Sequence, residues 1–272
     1  MIRIPVAARL LAVCFLVIAV SADARVRAVR KTPALLPTTP QCHTFALVKA
    51  GTKATYLSTT PTGSANYTIT WLSDTPTRTQ TTQVVSTPQG NANAVTTIDG
   101  EVVGLLRGMK HIDVKTTITV PIVGTLTTEV DIDFVPSLIL GPAAGWCAGN
   151  KWSVAPVTET ITTKAPLVQP VTAIVTTIGG DGEVLAVGES VTVPAGTFRT
   201  VKYRGVTVAN NTVQHSITWT SMDHSIVVKQ EATDPATGAI LTATVLTNLV
   251  SPASILQRPA TEDSSNVESG AH

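Results

Sequence analysis

Asp223, His224 and Ser225 stand side by side, with Ser221 two residues upstream and His215 earlier on the same stretch. Acid, imidazole and hydroxyl are the parts of a hydrolytic triad. A triad needs its members to converge in space beside an oxyanion hole, whereas consecutive residues in a turn point apart. The cluster reads as a polar turn between two strands; a hydrolase using His224 with Ser221 or Ser225 is the weakest functional alternative. Glu129, Asp131 and Asp133 alternate along the chain. On a strand they would lie about 7 Å apart on one face. A Ca²⁺ site would need further oxygen ligands from a loop, so a solvated face is expected there, and likewise at His111, Asp113 and Lys115. The chain carries no G-x-S-x-G elbow, no H-E-x-x-H pair and no phosphate-binding G-x-x-x-x-G-K. No catalytic, cofactor-binding or metal residues are therefore assigned, and the expectation is a protein that is not an enzyme.

Cysteine and tryptophan carry more information. Cys14 lies within an apolar leader, which leaves Cys42 and Cys147 as an even pair. In an oxidising compartment such a pair is most simply a disulfide. Neither cysteine has a second Cys or a His at a ligand spacing, so metal binding is disfavoured. Aromatic residues make up only 4% of the chain. Against that background Trp146, Trp152 and Trp219 either plug a core or line a pocket for an apolar ligand.

These residues must be positioned by strands. The chain has 272 residues, 45 of them Thr, and only 14% are charged. Thr and Val suit a pleated backbone and do not favour long helices. Residues 1–24 read as a secretory signal: Arg3 and Arg9, an apolar run from Leu10 to Val20, then Ala22-Asp23-Ala24 for cleavage. They hold two of the 19 basic and one of the 18 acidic residues, so 17 of each remain beyond them. That balance argues against a nucleic-acid partner, which calls for a basic surplus. No later segment is apolar for long enough to span a bilayer as a helix. The expected location is periplasmic or secreted.

Residues 25–41 are basic and proline-punctuated, an extended linker, and 251–272 are polar with the composition of a disordered tail. Between them, 42–250 reads as one β domain, with possible halves 42–140 and 150–250. Val114, Thr116, Ile118 and Val120 alternate, and so do Val130, Ile132 and Phe134, so 113–134 predicts a long hairpin. Further strands are expected at 157–163, 171–178, 183–193, 198–208, 212–220, 225–232 and 239–248. Gly179-Gly180-Asp181-Gly182, Pro194-Ala195-Gly196 and Asp234-Pro235 are read as turns between them. Tight turns make antiparallel neighbours. Residues 136–144 are the one stretch that could form a short helix. The expected fold is all-β: an antiparallel curved sheet, as a half-barrel or sandwich, with little or no helix beyond the signal.

Glu189-Ser-Val-Thr-Val-Pro-Ala-Gly-Thr-Phe-Arg-Thr-Val-Lys-Tyr203 resembles a pattern in exported bacterial β-proteins of unknown function, in which one strand ends in Val-Pro-Ala-Gly-Thr-Phe and the next begins. Gly149-Asn-Lys-Trp152, Ile217-Thr-Trp219 and Ile226-Val-Val-Lys229 are similar to other parts of that pattern. The resemblance covers about 145–250; where the family often has a Gly after the Trp, this chain reads Ser221-Met222-Asp223-His224. It implies distant kinship with envelope lipoprotein carriers, whose curved sheet holds acyl chains, and it brings no catalytic residues. Without the family, Pro194 still closes a strand and Gly196 still permits the turn.

The leading expectation is an exported envelope protein that binds a lipid or other apolar ligand on a concave sheet, beside Trp146, Trp152 and Trp219. The alternative is a structural or protein-interaction module whose partner is another envelope protein. No cofactor is implied.

Overall fold

The computed structural model describes residues 41–87, 90–120, 124–166, 170–209 and 212–252. The expected signal at 1–24, all but residue 41 of the linker, and all but the first two residues of the tail lie outside the described residues. Among the described residues fourteen strands follow one another: β1 (Cys42–His43), β2 (Lys53–Thr60), β3 (Gly63–Asp74), β4 (Arg78–Thr87), β5 (Gly90–Val103), β6 (Leu106–Val120), β7 (Gly124–Pro142), β8 (Trp146–Cys147), β9 (Lys151–Lys164), β10 (Val171–Val193), β11 (Gly196–Ala209), β12 (Thr212–Ser221), β13 (Val227–Thr233) and β14 (Ile240–Val250).

Twelve of them close into one antiparallel barrel, in the order β10-β11-β12-β13-β14-β2-β3-β4-β5-β6-β7-β9 with β9 returning to β10. The expectation of a half-barrel or sandwich is corrected here: the sheet is a closed barrel. The physical reason is edge pairing. An open sheet leaves rows of unpaired N–H and C=O groups, and closure removes them. Two non-local seams do this work, β14 on β2 (Val245 opposite Leu57) and β7 on β9 (Ile132 opposite Ile161). Strands from both 42–140 and 150–250 share the one barrel. The short β1 pairs only with β8, and there Cys42 and Cys147 are joined by a disulfide.

The alternation read from the sequence sets which side faces inward. On β7, Val130, Ile132 and Phe134 are buried, while Glu129, Asp131 and Asp133 point out. Ile132 is 1% exposed, and burying a side chain of that size contributes roughly 1.5–3 kcal/mol. The interior holds two apolar clusters. One gathers Ile112, Val130, Ile132, Phe134, Trp152 and Val201; the other gathers Ala54, Tyr56, Tyr67, Ile226, Val228 and Leu246.

Two further expectations are corrected. Gly179 to Gly182 is no turn, because β10 runs through it as one 23-residue strand. The indole of Trp152 lies where a Gly182 side chain would be, since an added Cβ would stand 2.1 Å from its Cζ2. The glycines are there for close approach across the strands. Nor is 136–144 helical: β7 continues to Pro142, with Leu138 buried at 5% and opposite Met109. Its backbone is claimed by the ladder to β6. The Pro194-Ala195 pair forms the two-residue turn from Val193 to Gly196, and Phe198 re-enters opposite Val191.

Candidate functional site: the barrel interior

Between the two apolar clusters lies a cavity of about 420 Å³, within the size range of small-molecule sites. Its apolar wall comes from β6, β7 and β9, through Met109, Ile112, Val114, Ile132, Trp152 and Val154. Each sits on the inward side of its strand; Ile112 is directly opposite Ile132, and Val114 opposite Val130. Hydroxyls and amides enter from two other stations. β4 supplies Thr79, Thr81 and Gln83, while β12 and β13 supply Ser216, Thr218 and Gln230. The Gln230 amide donates to the Thr218 hydroxyl at 3.3 Å. Asp181, exposed, is the single acid on the lining, and no Lys, Arg or His is among the described lining residues.

Aromatic rings form one end of the space. Trp152 and Tyr203 face each other with centroids 6.4 Å apart, and both border the cavity. Trp146 stands behind them, 5.6 Å from Trp152 and 5.0 Å from Tyr203, and is itself backed by Phe45 at 5.3 Å. Glycines make room for this stack: Cβ atoms at Gly141 and Gly182 would collide with the indoles of Trp146 and Trp152 respectively. Burial pushes the Tyr203 phenol up, partly offset by its hydrogen bonds with Thr220 and Thr218. Further along β9, Glu159 lies on the same face as Ile161, and burial pushes its carboxyl up.

Of the three tryptophans singled out from the sequence, the structure brings Trp152 to the cavity and leaves Trp146 one ring removed. Trp219 goes elsewhere. It lies on the opposite face of β12 from Thr218, directly across from Lys202 and Lys229, whose ammonium groups stand 5.0 and 4.8 Å from its ring centroid. Those two lysines cover it, so it is only 7% exposed on the outside of the barrel. Sequence reasoning missed Trp71, Gln83 and Tyr203 as lining residues. The signals were present. Tyr67, Ile69 and Trp71 alternate on one face, and Gln83 and Gln230 are polar residues at inward positions.

The other chemical candidates are held apart or already paired. Ser221 is fully buried, and its Oγ accepts the backbone N–H of His224 at 3.2 Å rather than meeting the imidazole. The His224 ring is instead edge-on to Phe198 at 6.2 Å. Ser225 takes φ 57° in the turn, and its N–H donates to the Ser221 carbonyl. His215 is about 20 Å away along β12. On the outer face of β7, Glu129 pairs with Lys115 (2.6 Å), Asp131 with Lys164 (2.5 Å) and Asp133 with His111 (2.8 Å). Among the described residues no cluster of three or more His, Cys, Asp or Glu is arranged to hold a metal, and no helix is long and apolar enough to cross a membrane.

No protein-family model and no curated protein matches this chain. A solved structure, that of a candidate lipoprotein from Parabacteroides distasonis, aligns with 77% of this chain and 100% of its own at 14% identity and a TM-score of 0.31. At that score the likeness carries no argument about fold or function.

Proposed function

We infer that the protein is an exported, non-enzymatic binding protein of a bacterial envelope, which holds a lipid or other apolar-bodied small molecule inside its barrel. One observation carries this reading: the interior is not filled, and the space left is bordered by Ile112, Ile132, Trp152 and Tyr203. The concave sheet expected from the sequence becomes a partly open cavity within a closed barrel, which removes more of a ligand's apolar surface from water than a flat face would. Export is supported by the Cys42–Cys147 disulfide, which persists in oxidising compartments, and by the leader-like residues 1–24. A role away from catalysis is supported by the Ser221–His224 turn, where hydroxyl and imidazole do not meet.

A membrane-spanning barrel presents an apolar band outward. The outer face of β6, β7 and β9 carries Lys115, Glu129, Asp131, Asp133 and Lys164 instead, which favours a barrel surrounded by water. The interaction-module alternative would draw support from an exposed strand edge or an apolar patch. β9 pairs β10 and closes the barrel, which removes the edge support; an exposed apolar patch would still support that alternative.

The test is native mass spectrometry of protein purified without detergent from its own host. A bound small molecule, released by organic extraction and absent from a Trp152→Ala variant, is the expected result. Protein that arrives ligand-free, and takes up no neutral hydrophobic dye, refutes the reading.

A further inference from the structure

The polar part of the cavity says which kind of amphiphile would fit. Gln83 is 9% exposed and lies on the inward face of β4, opposite Ala94 on β5 and Ile69 on β3. Neither neighbour can hydrogen-bond through its side chain. The Gln83 carboxamide borders the cavity. A primary amide offers two donors and an acceptor, and an occupant that displaces water from the cavity must meet them, because a buried unpaired amide is unfavourable. Thr81 lies two residues away on the same face, and Thr218 with Gln230 offers a second polar station. The apolar part of the wall includes Ile112, Ile132 and Trp152.

Charge settles the rest. No cation is among the described lining residues, and the one acid, Asp181, would repel an anion. A carboxylate or phosphate drawn inside would lose its hydration without a counter-charge, which is strongly unfavourable. A neutral hydroxyl, carbonyl or amide loses far less and recovers it by bonding to Gln83.

Building on the binding-protein reading above, we propose that the cavity selects neutral amphiphiles, an apolar body bearing an uncharged hydrogen-bonding group that meets Gln83, and discriminates against fatty-acid anions. The ligand lies with its apolar side on the Ile112–Ile132–Trp152 wall. Its polar group faces β4.

The test uses the full folded protein, the neutral fluorescent probe N-phenyl-1-naphthylamine, and three competitors of equal chain length: decan-1-ol, decanamide and decanoate at pH 8. The alcohol and the amide are expected to displace the probe at concentrations at least tenfold below decanoate. In Gln83→Leu, probe affinity should persist while the preference for decanamide over decanoate falls at least threefold. Decanoate binding as well as the alcohol overturns the neutral-ligand assignment and leaves the binding-protein reading standing. Undiminished selectivity in a folded Gln83→Leu protein overturns the role of Gln83. If the probe itself does not enter wild-type protein, the binding-protein reading falls and this proposal falls with it.

Discussion

Gly182 and Trp152 make a sharp test of how the barrel is packed. An alanine methyl at position 182 would sit 2.1 Å from Cζ2 and 2.2 Å from Cε2 of Trp152, against 3.4 Å or more for ordinary contact. The ring would have to retreat by over an ångström. Behind it stands Trp146 at 5.6 Å, and beside it Tyr203 at 6.4 Å. The ring can yield only toward the cavity it borders, and the forced shift is overpacking, which costs about 1–3 kcal/mol. For a chain of this size each kcal/mol moves Tm by roughly 2–4 °C, so Gly182→Ala should melt about 2–12 °C lower. Trp152→Phe presents a smaller ring and should relieve the clash. The double variant should therefore be less destabilised than the two single changes added together, with a coupling of about 0.5–3 kcal/mol. Urea and thermal unfolding followed by circular dichroism, with the disulfide intact, measure all four proteins. Gly182→Ala melting with wild type, or strictly additive costs, would refute the placement of the indole on β10.

Replacing both Cys42 and Cys147 by Ser opens a crosslink between residues 105 apart. The chain-entropy model gives about 4.7 kcal/mol for a loop near that length, so denaturant midpoints should fall clearly; unchanged stability would show that the bridge constrains nothing. The chain has three tyrosines, and burial raises all of them: Tyr67 is pushed up to about 12, with Tyr56 and Tyr203 shifted the same way. Burial therefore favours the folded state fully below the ordinary tyrosine range near 10, and for Tyr67 this contribution is lost as pH rises from there to about 12. Ultraviolet titration should show no phenolate near pH 10 while the protein stays folded, and a native protein ionising there would contradict the burial.

Local pattern and long-range closure differ in how far they could be read. Val130, Ile132 and Phe134 alternate with Glu129, Asp131 and Asp133, and that period of two fixes both the strand and its inward face. The β6–β7 hairpin was legible for the same reason. Closure was not, because β14 meets β2 across most of the chain, with Ala243 opposite Thr59, and no local signal specifies that pairing. The Gly179–Gly182 error has another origin. A glycine run looks the same in sequence whether it frees the backbone to turn or clears space for a neighbour, and only the position of Trp152 decides. At the site, tryptophan scarcity singled out Trp152, which borders the cavity. Trp219 looked equivalent to it in sequence, yet strand parity and the flanking Lys202 and Lys229 place it outside.

Strand number and composition together account for the cavity. Eight-stranded barrels are narrow enough for their own side chains to fill, while 16–18 strands leave a water channel. Twelve strands fall between, so whether the lumen is filled depends on the bulk of the inward residues. This chain offers few rings, and several inward positions are small: Ala94 on β5, Gly205 on β11, Ser216 and Thr218 on β12. Among the described residues, buried apolar side chains condense into two clusters, which meet at β5 and β10. Between them the barrel cannot collapse further, because the ladders hold its circumference. The inward Thr and Gln residues follow from this. In a filled core they would be misplaced, whereas facing an open space they have something to bind.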